Sequence, residues 1–197
     1  MKSIIFVLLV LSFYGCDFFS PEKANERIAT GIQAVESKMT TDYAKAKDTF
    51  NLAYQKALQA TSDSLITKKL QNVYSVLMET VNYMDSLKTE MNKLDNSDVN
   101  NVGLIKEIFL TNGIGDSLFD KLKLSYSLAE DVARTAEKKS AIRNSRTNIL
   151  NEQDIDQRKN QYFGLNGPEG IEWMLYGFET ELLKVGLESL DGYYQNK

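Results

Sequence analysis

The stretch ITKKLQNVYSVLMETVNYMDSLKTEMNKL, residues 66–94, decides how the chain reads. Its apolar residues Ile66, Leu70, Val73, Leu77, Val81, Met84, Leu87, Met91 and Leu94 recur at steps of three and four, the period of a helix with one buried face. Ahead of it, Thr61-Ser62-Asp63-Ser64 offers side-chain oxygens that accept from the free N–H groups of a first helical turn. The same period runs upstream. From Pro21, a residue suited to a first helical position, Ile28, Ile32, Val35, Met39, Tyr43, Ala46, Phe50, Ala53 and Ala57 predict a long helix ending near Ala60. A connection this short makes the two helices antiparallel neighbours.

Downstream, Asp95-Asn96-Ser97-Asp98 breaks the pattern, and Val102–Leu110 predicts a shorter helix before the Asn112-Gly113-Ile114-Gly115 turn. Asp116 or Ser117 then caps a helix with a stripe of Leu118, Leu122, Tyr126, Ala129, Ala133 and Ala136. From Ser140 to Gln161 apolar residues thin out, which predicts frayed helix or loop. Gly164 to Pro168 is turn chemistry, and Pro168 opens a last helix with Ile171, Leu175, Phe178, Leu182 and Val185 inward. No alternating strand pattern and no internal repeat appears. The expectation is an all-α, mostly antiparallel bundle of about five helices, because such stripes are buried only against one another.

Composition narrows function. The 197 residues include 23 basic and 27 acidic side chains, one Cys and no His. Without histidine the chain lacks the usual general base of nucleophilic catalysis and the commonest metal ligand, and a single Cys makes neither an internal disulfide nor a thiolate cage. A formal charge of −4 argues against nucleic acid as a partner. No enzyme, cofactor or metal is expected from this inventory.

The N-terminus reads as an address. Lys2 is followed by the apolar run Ile4–Leu11, too short to span a bilayer, and then by Ser12-Phe13-Tyr14-Gly15-Cys16 at the distance of a cleavage site. Gly15 before the sole cysteine resembles a bacterial lipoprotein signal. Phe13 and Tyr14 depart from the usual aliphatic and small residues, and in this the leader resembles those of Borrelia-type spirochaete surface lipoproteins. The resemblance covers the leader and the general helical character. It implies removal of residues 1–15 as a signal peptide, thioether lipidation and acylation (palmitate or similar) at Cys16, a tether over 16–21 and a single helical domain over 22–195. It also implies an outer-membrane lipid anchor with the body at the cell surface, where such bundles act as adhesins, complement-regulator binders or surface antigens. Asp17 resembles an inner-membrane retention residue of many Gram-negative bacteria, so the leaflet stays open.

In the body, Arg134, Lys138, Lys139, Arg143 and Arg146 lie within thirteen residues, opposed there only by Glu137. On a continuous helix Lys139, Arg143 and Arg146 share a face able to engage a host or vector protein, a sulfated glycan or anionic headgroups. The competing reading pairs the cations with the acidic last helix, which carries Glu169, Glu172, Glu179, Glu181, Glu188 and Asp191. Of these, Glu169, Glu172 and Glu179 are the only candidates for carboxylate chemistry, and they read as a first-turn acid and a solvated face. Asp154 and Asp156 begin like a calcium loop, but Arg158 and Lys159 fall where acceptors are needed. Tyr193 and Tyr194 suit either an interface or docking onto the bundle, Trp173 is a core or partly buried residue, and Met39, Met78, Met84, Met91 and Met174 are core or the lining of an apolar pocket. The functional expectation is a lipid-anchored surface protein binding a host or vector macromolecule without catalysis; a periplasm-facing structural or assembly lipoprotein is the alternative.

Overall fold

The computed structural model describes residues 21–94, 98 and 100–194. Residues 1–15, expected to be a signal peptide, Cys16 and most of the expected tether lie outside the described residues, as does Asp95-Asn96-Ser97. Among the described residues the chain is all-α, with seven helices and no strand: α1 (Pro21–Ala60), α2 (Ser64–Met91), α3 (Asn100–Lys106), α4 (Ile114–Val132), α5 (Ala136–Leu150), α6 (Ile155–Phe163) and α7 (Pro168–Leu190). The chain divides into two compact units, Met1–Thr40 and Thr41–Lys197.

In the first unit the predicted stripe is not buried: Ile32 and Met39 are half-exposed and Val35 is 44% exposed. In the second, Phe50, Ala53 and Ala57 of α1 are buried, with Tyr43 and Ala46 packed against the core. Helix α2 starts as its sequence predicts. Asp63 is the N-cap, its Oδ1 accepting from Leu65 N at 2.8 Å and Ile66 N at 3.2 Å. Its stripe from Leu70 through Met91 is buried, in the company of α4 and α7.

Four features correct the sequence reading. The short third helix ends as a π-helical turn over Glu107–Thr111, where Asn112 N donates to Glu107 O at 2.9 Å. The next helix begins at Ile114 behind Gly113, whose φ of 76° is the left-handed conformation that glycine adopts without strain, so Asp116 and Ser117 are first-turn residues and not caps. The helix expected to run to Ala136 stops at Val132; Ala133 turns extended and the Thr135 hydroxyl, accepting from Lys138 N, opens α5. The stretch between Ser140 and Gln161, expected as frayed helix or loop, holds most of α5 and α6 as regular helix, so seven helices stand where about five were expected. Helix α5 needs only Ile142 and Leu150 inward, Asn151 ends it at φ 42°, and Asp154 caps α6 with its Oδ1 on Gln157 N. Few apolar residues suffice because each of these helices is short and lies on larger ones.

Helix α7 touches α2, α4 and α5, and Ile171, Leu175, Phe178, Leu182 and Val185 are all buried. Where it passes α1 and α2 it carries Gly186, because a Cβ there would sit 2.5 Å from the Phe50 ring and 2.8 Å from Leu77. Phe163 at the end of α6 stacks on Phe109 of the π-turn with centroids 4.5 Å apart. Met84 and Met91 are buried core, and Met78 and Met174 pack against it.

Candidate functional site

Four of the five residues of the basic stripe lie on α5, with Arg134 in the connection before it, and most of the stripe is occupied. Lys138 pairs with Glu188 and, at 3.1 Å, with Asp191, and these two carboxylates hold its ammonium above the ordinary lysine range. Arg143 pairs with Glu130 of α4. Arg146 pairs with Glu152 at 2.5 Å and donates to Ser127 Oγ at 3.1 Å. Arg134 donates to Gly192 O at 2.9 Å and covers the Tyr193 ring at 4.8 Å. Neither Arg134 nor Lys139 has an ion pair among the described residues; Lys139 borders a polar hollow of about 280 Å³ with Glu130, Asp131 and Arg146. The face shared by Lys139, Arg143 and Arg146 therefore lies toward α4. Of the five cations only Lys138 reaches the acidic last helix, so pairing is internal, with partners spread over α4, the α5–α6 connection and α7.

The tail docks back on the bundle: Tyr193 OH donates to Val132 O at 2.8 Å, and Tyr194 packs against the core. Trp173 is half-buried. Asp154 and Asp156 serve as a helix cap and as an ion-pair partner of Lys159 at 2.9 Å. No group of residues fit to hold a metal ion occurs among the described residues.

The most unusual polar cluster lies elsewhere, where α1, α2 and α7 meet. Glu179, read from sequence as solvated, is fully buried, and Lys88 is 4% exposed. Lys88 Nζ binds Glu179 Oε2 and, at 2.9 Å, Asp85 Oδ1. The same ammonium lies between two rings, 3.6 Å from the Tyr176 centroid and 4.5 Å from that of Tyr43, an arrangement in which ring faces attract the cation. Tyr43 OH donates to Asp85 Oδ2 at 2.8 Å and accepts from Lys47 Nζ at 3.0 Å. Burial pushes the Glu179 carboxyl up to about 8 against the pull of Lys88, and drives the Tyr43 phenol well above its ordinary value. The half-exposed Asp85 goes the other way, held below the usual carboxylate range by hydrogen bonds from Lys88 and Tyr43 that outweigh its partial burial.

Glu179 Oε1 has no hydrogen-bond partner among the described residues. A buried carboxyl of this kind cannot be approached by a substrate from solvent; what it does is join three helices at one point. The sequence held a signal for it. Glu179 falls at i+4 from Leu175 and i−3 from Leu182, and Lys88 at i+4 from Met84, so both occupy positions where the stripes demand an apolar residue. Glu172, by contrast, turns to Asn92, whose Nδ2 donates to it at 3.3 Å.

No protein-family model, curated protein or solved structure matches the chain. Its fold places it in the class of all-α helical bundles.

Proposed function

We propose that the protein is a bacterial lipoprotein, anchored through Cys16, whose helical body binds a host or vector macromolecule at the cell surface without catalysis. The observation that carries this reading is the placement of the only cysteine directly after Gly15 at the end of the apolar leader. No described helix is long and apolar enough to cross a membrane, and the reading assigns attachment to the lipid on Cys16, where each buried methylene contributes about 0.8 kcal/mol and several chains together hold a protein durably. The body is compatible with a binding role in that Glu179, whose affinity for protons is raised, is buried and engaged in structure.

Cys16→Ser is expected to shift the protein from the detergent phase to the aqueous phase on phase partition. Protease shaving of intact cells is expected to remove the body while a periplasmic control survives. Unchanged partition of the variant overturns the anchor; survival of the body under shaving overturns surface display and favours a structural or assembly role inside the envelope.

A further inference from the structure

Helices α1 and α7 border an open groove of about 310 Å³. Its floor is Ala46 and Leu187, both packed against the core. Its sides are Lys45 and Thr49 from α1 and Thr180 and Lys184 from α7, with Asp42 at one end. Lys45 and Lys184 have no ion pair among the described residues. Lys38, Lys56, Lys68, Lys106 and Lys139 share that property, but Lys45 and Lys184 are the two that border this groove from different helices. The chain carries an excess of acids, so two unpaired lysines from different helices over one apolar floor are a local reversal of the prevailing charge.

We infer that this groove binds a single-chain fatty carboxylate, its chain along Ala46 and Leu187 and its head between Lys45 and Lys184. Three observations select that ligand. The two ammonium groups outnumber the single Asp42 carboxylate of the lining and so favour an anion, and their aliphatic stems extend the apolar walls to meet a chain. The Thr180 hydroxyl, which has no hydrogen bond among the described residues, adds a donor for a carboxylate oxygen. A volume of about 310 Å³ sits at the lower end of small-molecule sites, in keeping with one aliphatic chain. The site is distinct from the methionine-lined pocket that the sequence allowed, and it does not depend on the lipoprotein reading.

Calorimetric titration of the full-length protein with decanoate tests it. One saturable site is expected, with affinity lowered about tenfold in Lys45→Gln/Lys184→Gln, as two partly screened charges predict. Both lysines are exposed, so the variant should unfold at the same temperature as the parent. Acetate, with the charge but no chain, and decyltrimethylammonium, with the chain but the opposite charge, should not saturate. Absence of saturable decanoate binding, equal binding by the double variant, or equal binding of decyltrimethylammonium each overturns the inference.

Discussion

At Gly186, the whole of a side chain is excluded by two neighbours. A methyl group at this position would collide with the ring of Phe50, itself fully buried, and with Leu77, also fully buried. Close-packed interiors yield little to such an insertion, and overpacking typically costs about 1–3 kcal/mol. Gly186→Ala is therefore expected to lower the unfolding free energy by that amount, read as a fall in the urea midpoint, even though alanine is the better helix former. Gly177, on the same helix but with open space around its would-be Cβ, is the control: Gly177→Ala should be neutral or stabilising. Periodicity alone does not separate these two glycines. The difference is set by what stands opposite, and that is a property of the packed molecule.

Among the elements, the meeting of α1, α2 and α7 at Lys88 and Glu179 deserves a thermodynamic reading. Buried ion pairs offset their desolvation only when the geometry is good, and they are weak evidence for stability. Here the carboxyl is pushed up to about 8 from an ordinary 4.5, so between those values the folded chain holds a proton that the unfolded chain has released. Stability contributed at Glu179 is full below about 4.5 and declines as pH rises through about 8. The slope is at most about 1.4 kcal/mol per pH unit for one proton. Asp85, held below its usual range, acts in the opposite sense and in a lower window, losing its contribution as the medium becomes strongly acidic. Urea denaturation of Glu179→Gln across this range should show a flatter profile than the parent, most clearly toward the alkaline side. An unchanged profile would mean that Glu179 is already ionised in the fold, with Lys88 as its full counter-charge.

For the whole molecule, the distribution of charge is the informative quantity. Four of the five arginines fall between Arg134 and Arg158, and the fold sets much of this positive stretch against carboxylates on α4, α7 and the connection after α5. Arg143→Glu/Arg146→Glu is expected to lower stability by about 1–2 kcal/mol, the sum of two partly exposed pairs and their replacement by repulsion. Raising salt should shrink the difference from the parent, because exposed charges are screened. Thermal melts of both proteins at low and high ionic strength check this. A double reversal without effect on melting, accompanied by salt-dependent loss of binding to a surface partner, would return the stripe to the role of an interface.

The sequence by itself determined that the chain is helical, that α2 starts within the cap-forming Thr61-Ser62-Asp63-Ser64 stretch, that Pro168 opens α7, and which residues of each helix share a face. These follow from local chemistry: the 3.6-residue period, cap oxygens and a ring without an N–H. The tertiary structure decided what each face meets. It left Val35 in solvent while burying Phe50 on the same helix stripe, buried Glu179 within an apolar stripe, ended α4 at Val132 without a glycine or proline, and turned the apparently sparse stretch after Ser140 into two helices. The reason is physical. Spacing along one helix specifies direction around its axis, whereas burial, pairing and proton affinity depend on the atoms that other helices bring to that side.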